Sequence, residues 1–252
     1  MSDQPPRLQI AVMTLFPEMF SALTDWGVTG RAFQTGVCSL HLQDPRDEAT
    51  DRHGSVDDRP YGGGPGMVMQ APALLASLSR ARAAVGSGAP VIALSPQGQK
   101  VDAQLAKQFA EVSSLVLVAG RYEGLDERFI QREVDLEVSV GDFVVSGGEL
   151  PAMLLIDAIV RWIPGVLGHE ASAAEDSFSK GLLDCPHYTR PEVFEGERVP
   201  DVLLSGDHSA IASWRRAQAI RRTLDRRPDL LSWDSVTDSD RQLLAKWDLL
   251  QN

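Results

Sequence analysis

Cysteine is almost missing from this chain: Cys38 and Cys185 are the only two among 252 residues, far apart and not arranged as a CxxC pair. That argues against a disulfide framework or a cysteine-based zinc site and suits a reducing, cytoplasmic setting. Long apolar runs are missing too. The most apolar helical stretch is interrupted by Asp157 and Arg161, so no membrane span and no membrane partner are expected. The opening Met1-Ser2-Asp3-Gln4-Pro5-Pro6 has no basic segment leading into an apolar one, so no signal peptide is expected. GxxxxGK(S/T), HExxH and GxSxG do not occur, which removes P-loop, zincin and α/β-hydrolase chemistry. Excess positive charge is absent, since 24 basic residues face 35 acidic ones for a net of -11. A nonspecific nucleic-acid coat protein is therefore disfavoured, although the distribution of charge matters more than its sum. Internal repeats and low-complexity tracts are lacking as well.

What is present is an alternation of short strands and helices. Residues 8–14, 37–42, 91–94, 115–119 and 136–140 read as strands. Residues 70–85, 101–112, 125–134 and 150–163 read as helices. Phe16-Pro17-Glu18-Met19-Phe20 opens a further helix, with proline suited to the first turn. The pattern predicts an α/β fold, a mostly parallel sheet covered on both faces. Three strand ends carry turn chemistry: Ser95-Pro96-Gln97-Gly98, Gly120-Arg121-Tyr122-Glu123-Gly124, and the stretch 140–151 containing Ser146-Gly147-Gly148 and two acids of the type usually exposed. Alone, a Gly-Gly pair reads as an ordinary turn. In a parallel sheet these three ends share one edge, the edge at which such folds hold ligands. A long polar stretch, 44–66, ends in Pro60-Tyr61-Gly62-Gly63-Gly64-Pro65-Gly66. Loops of that length are uncommon unless they have a function.

Past Pro164 the pattern changes. Residues 168–175 are small and polar and read as a flexible linker between a first domain, 1–167, and a second, 176–252. No strand pattern follows, only amphipathic helices at 209–227 and 238–250, so the second domain reads as small and all-helical. Residues 214–227 concentrate six arginines against one aspartate, with Arg215, Arg222 and Arg226 on one helical face and Arg221 beside it. Such a face either docks a polyanion through guanidinium–phosphate contacts or is simply solvated. Residues 176–191 are dense in Asp, Ser, Lys, Cys, His and Arg without helical period. Asp176 there is either a helix N-cap or a general base. His187 is either structural or functional.

Seven segments then occur in order: Phe16-Pro17-Glu18-Met19-Phe20, Asp58-Arg59-Pro60-Tyr61-Gly62-Gly63-Gly64-Pro65-Gly66-Met67, Ser95-Pro96-Gln97-Gly98, Gly120-Arg121-Tyr122-Glu123-Gly124, Gly141-Asp142, Ser146-Gly147-Gly148-Glu149-Leu150-Pro151, and Asp184-Cys185-Pro186-His187-Tyr188-Thr189-Arg190-Pro191. Together they resemble the bacterial tRNA (guanine-N1)-methyltransferases, over nearly the whole chain. The resemblance implies a SPOUT-type α/β domain with a deep C-terminal trefoil knot, an obligate homodimer, and methylation of guanosine 37 beside the anticodon. By position it places S-adenosylmethionine against Leu94, Ser95, Pro96, Gly120, Tyr122, Glu123, Val140, Gly141, Asp142, Phe143, Val144, Val145, Gly147, Gly148 and Pro151. It makes Asp176 the catalytic base and Arg161 its partner at the target guanine. It also directs Arg59, Asp184, His187, Arg215, Arg222 and Arg226 to tRNA, and leaves Glu123 as the candidate carboxylate for a magnesium ion. Val140 and Phe143 stand where the family more often has isoleucine and tyrosine. The competing expectations are a SPOUT enzyme acting on another RNA base or a ribose, and a noncatalytic RNA-binding protein that keeps the fold.

Overall fold

The computed structural model describes residues 5–49, 53–168, 173 and 176–250. The chain divides into two compact units, Met1–Glu170 and Ala171–Asn252. Most of the expected 168–175 linker lies outside the described residues.

The first unit is built on five parallel strands in the order β2-β1-β6-β5-β7: β1 is Leu8–Met13, β2 Cys38–Gln43, β5 Val91–Lys100, β6 Ser114–Val118 and β7 Leu136–Ser139. Side chains alternate across the sheet. Leu8, Ile10 and Val12 of β1, with Ile92, Leu115 and Leu117, enter one buried cluster; Ala11, Met13, Val91, Ala93, Val116 and Val118 enter the other. Both faces are therefore buried, which is why these strands read as continuous apolar runs. The first cluster is closed by α2 (Gly27–Gln34), α4 (Ala103–Ala110) and α6 (Glu149–Val160), while α1 is a single turn at Ser21–Thr24. The second is closed by α3 (Ala71–Val85) and α5 (Glu127–Glu133). Helix starts follow local chemistry: Asp102 accepts from the Leu105 N–H and Asp126 from the Arg128 N–H, caps worth about 1 kcal/mol each.

Two expectations change here. Strand β5 does not stop at Leu94: Val138 of β7 is the register partner of both Leu94 and Gln99, so residues 95–98 bulge out and the strand resumes to Lys100. The bulge passes so close to β7 that a Cβ on Gly98 would lie 2.4 Å from the Glu137 carbonyl carbon, which only glycine avoids. The stretch 44–66 also holds some regular structure, a 3-10 turn at Pro45–Glu48 and strand β3 (Asp57–Asp58), antiparallel to β4 (Val68–Met69).

Cys38 lies in the core at 1% exposure, and burial pushes its thiol up to about 12. Thiol reagents at pH 8 should leave Cys38 untouched in the native protein and modify it only after unfolding; mass spectrometry of alkylated peptides reads the difference.

The second unit is helical, with α7 (Asp201–Leu204), α8 (His208–Arg226) and α9 (Asp238–Lys246), plus one addition to the all-helical expectation. Val193–Phe194 (β8) pairs antiparallel with Glu197–Arg198 (β9). Glu195 and Gly196 both have positive φ, 51° and 89°, as a two-residue hairpin turn matched to strand twist requires. Ile220, Leu224, Val236 and Leu244 form this unit's own core.

Candidate functional site

The bulge of β5 and the ends of β6 and β7 meet around a cleft of about 290 Å³. Its wall includes Leu94, Ser95 and Pro96 from the bulge, Gly120, Tyr122 and Glu123 after β6, and Val140, Phe143, Val144, Val145, Gly147, Gly148 and Pro151 after β7. These are the cofactor candidates of the sequence, except Gly141 and Asp142, which lie outside the lining. The Gly141 carbonyl accepts from the Ser139 hydroxyl at 2.9 Å, and the exposed Asp142 carboxylate meets Lys100 Nζ at 2.6 Å.

The glycines serve close approach. The Gly148 N–H donates to the Gly120 carbonyl at 2.8 Å, and a Cβ on Gly148 would fall 2.6 Å from the Ala119 Cα. A Cβ on Gly147 would collide with the Arg121 guanidinium. The addition at Gly148 would force the loop after β7 off the end of β6, whereas the addition at Gly147 would displace the Arg121 side chain. Chemically the cleft is mixed. Leu94, Val138, Val145 and Pro151 offer apolar surface, while Glu123, Glu127 and Glu137 supply carboxylates. A wall of this kind suits a ligand that combines a flat aromatic ring with positive charge.

The glycine-rich segment 59–66 is tied to this edge. Met69 N–H donates to the Gly124 carbonyl and Glu123 N–H to the Met67 carbonyl, each at 2.9 Å. Tyr122 adopts φ 60°, a left-handed conformation uncommon outside glycine. Burial first, and then the Asp57 carboxylate, push its hydroxyl pKa above the usual tyrosine range. Arg59 is exposed, its N–H bonded to the Asp58 carboxylate at 2.7 Å.

Residue type predicts that both acids of the 140–151 stretch are exposed. Glu149 is fully buried, not exposed. It accepts from Thr14 Oγ1 at 3.0 Å and from Arg121 Nε at 2.7 Å. No local signal reveals this, because Arg121 and Thr14 lie 28 and 135 positions away.

Arg161 forms the C-cap of α6 in the first unit. In the second unit, Asp176 sits in a turn rather than capping a helix, and its carbonyl accepts from the Ser179 hydroxyl at 2.7 Å and the Ser179 N–H at 3.3 Å. Asp184 and His187 pair at 2.7 Å. Burial raises the Asp184 pKa, but His187 and the Cys185 N–H outweigh it, leaving the carboxyl below its usual range. The Asp184, Cys185 and His187 ligand atoms all lie within 4.8 Å of one another; Glu123 belongs to no such group among the described residues.

Along α8 and its end the arginines separate into two sets. Arg216, Arg221 and Arg227 pair with Asp240, Asp225 and Asp229. Arg215, Arg222 and Arg226, the three expected on one face, form no ion pair among the described residues. Of these three, Arg222 is half-buried and its Nη1 donates to the Asp184 carbonyl at 3.5 Å, while Arg215 and Arg226 are exposed.

A family model described as tRNA (Guanine-1)-methyltransferase TrmD matches residues 8–233. The tRNA (guanine-N(1)-)-methyltransferase of Pseudomonas entomophila (strain L48) is 58% identical over 240 residues, covering 95% of this chain and 96% of that protein. The protein of the same name from Shewanella baltica (strain OS155 / ATCC BAA-1091) is 59% identical over 238 residues, covering 94% and 96% respectively.

Proposed function

The chain belongs to the tRNA (guanine-N1)-methyltransferase family, and from that premise we propose that it transfers the methyl group of S-adenosylmethionine to N1 of guanosine 37 in tRNA. The observation that carries the cofactor reading is the cleft between the β5 bulge and the ends of β6 and β7, with its close-approach glycines and cation-compatible wall. Bound there, S-adenosylmethionine would supply an activated methyl group, its sulfonium leaving as the neutral thioether S-adenosylhomocysteine.

The protein's own residues do the remainder. Guanine N1 carries a proton and is a poor nucleophile until it leaves; Asp176 takes it as general base. Negative charge then grows on O6, where Arg161 stabilises it with a charge-assisted bond. The loops at 95–98, 120–124 and 140–148 fix the methyl donor, so that positioning contributes much of the rate. The target base reaches them flipped out of the anticodon loop. Glu123, on the cleft wall, is the carboxylate we assign to a magnesium ion, which typically takes one or two protein carboxylates and keeps several waters.

We assign the active form to a homodimer with shared sites, knotted through its cofactor loops, in the cytoplasm. Exposed apolar side chains support the dimer: Leu150 and Leu154 on α6 are half-exposed, and Phe143, Val144 and Val145 stand out beside its start. Monomers rarely leave such side chains clustered in water. Among the described residues no helix is long and apolar enough to cross a membrane.

We assign the second unit, with residues 168–175 as its linker, to tRNA binding through Arg215, Arg222 and Arg226, with Asp184, whose carbonyl accepts from Arg222 at 3.5 Å, and His187 beside it in sequence, and with Arg59 contributing from the first unit. Replacing the three arginines by glutamine should weaken tRNA binding and reduce the slope of log K against log salt by roughly 2 to 3. An unchanged slope in a filter-binding titration would return them to solvated surface. Calorimetry should detect S-adenosylmethionine binding to the full chain; its absence would favour a noncatalytic RNA-binding role.

A further inference from the structure

The segment Phe16-Pro17-Glu18-Met19-Phe20 does not itself line the cleft, yet it packs on Arg121, which does. The Phe16 ring lies 4.3 Å from the Arg121 guanidinium carbon, and the Met19 sulfur lies 3.8 Å from its Nη2. On its other contacts the same guanidinium donates to Glu149 at 2.7 Å through Nε and to the Ser146 carbonyl at 3.2 Å through Nη1. Thr14 closes the set, donating to Glu149 and accepting from the Phe16 N–H, each at 3.0 Å. One planar fork thus joins the end of β1, the end of β6, the start of α6 and the loop after β7.

We propose that Arg121 is a positioning residue for S-adenosylmethionine binding, and that Phe16 and Glu149 exist to hold its guanidinium against the Ser146 carbonyl. This rests on the cofactor reading of the cleft given above. The physical reason is that residues 146–148 lack side chains able to anchor themselves: two are glycine, and glycine backbones lose the most freedom when fixed. An arginine fork can meet a carboxylate and a carbonyl at once, in a fixed plane. Covering its face with Phe16 limits solvent competition and adds a cation–π contact. The pair would preset the loop before the cofactor arrives, so that its ordering does not subtract from affinity.

Two variants separate this role from simple structural support. Arg121→Lys keeps a charge near Glu149 but has no fork to reach Ser146. Phe16→Ala acts from outside the cleft, at a residue 42% exposed. For Arg121→Lys, KM for S-adenosylmethionine should rise about tenfold, the loss of one charge-assisted hydrogen bond. For Phe16→Ala it should rise about threefold to tenfold. In Phe16→Ala, kcat at saturating cofactor and KM for tRNA should stay at the wild-type level, a split that loss of folded protein would not produce. A KM for S-adenosylmethionine unchanged in Phe16→Ala, or a fall in kcat alone, overturns the proposal; if Arg121→Lys fails to fold, Phe16→Ala decides. Wild-type protein that binds no S-adenosylmethionine would instead overturn the cofactor reading, while normal wild-type binding with unchanged variants overturns only the role of Arg121.

Discussion

Replacing Asp176 by alanine should lower methyl transfer about 10²- to 10⁴-fold, the usual contribution of a positioned general base. S-adenosylmethionine binding should be nearly unaffected, because Asp176 is not among the residues that line the cleft. The loss belongs to one step. Guanine N1 must release its proton as the new bond forms, and no other group is assigned to accept it. Asp176→Asn sharpens the test, since the amide keeps the shape and the hydrogen-bonding reach but cannot take a proton at neutral pH. Single-turnover methyl transfer with saturating tRNA and cofactor measures the step directly, and a fall in kcat with little change in either KM is the expected form. Ordinary turnover by Asp176→Ala would remove the base from this mechanism.

Glu149→Ala should destabilise the first unit by roughly 3–5 kcal/mol, the range for stripping one partner from a buried ion pair. Glu149 is fully buried and the Arg121 side chain only 19% exposed, so the guanidinium would be left without its counter-charge in a poorly solvated place. In a unit of this size that loss corresponds to a thermal midpoint lower by roughly 6–20 °C. The exposed pair Lys100–Asp142 provides the contrast. Its contact is as short, 2.6 Å against 2.7 Å, but both side chains are largely in solvent at 64% and 78%. Such pairs contribute about 0–1 kcal/mol, so Asp142→Ala should move the midpoint by no more than a few degrees. Calorimetric scans of both variants without ligand check the ranking; equal effects would mean that burial does not set the strength of the Glu149 pair.

The sheet was legible in the sequence because burial on both faces leaves a simple mark. Leu115-Val116-Leu117-Val118 has no polar position to spare, and the structure sends alternate members to opposite cores. The cleft was legible because three glycine-marked strand ends of a parallel sheet must share an edge. The arginine face was legible from helical spacing, although spacing cannot tell which arginines have acidic partners; Arg216 finds Asp240 across a separate helix. What stayed hidden depended on distant contacts. Glu149 sits among glycines and looks like a solvent-facing acid until Arg121 and Thr14 are brought to it. Strand β5 resumes after its bulge because β7 accepts it twice at Val138, a register no local pattern encodes. The β8–β9 hairpin is the one omission with a local signal, the Glu195-Gly196 pair between Val193-Phe194 and Glu197-Arg198.

The most direct test of the account is where the methyl group goes. Full-length protein, S-adenosylmethionine and an unmodified tRNA transcript bearing guanosine 37 should yield N1-methylguanosine at that position by nuclease digestion and mass spectrometry. The transcript with guanosine 37 changed to adenosine should yield none. A methyl group on another base, on a ribose hydroxyl, or equally on the control transcript would contradict the assignment.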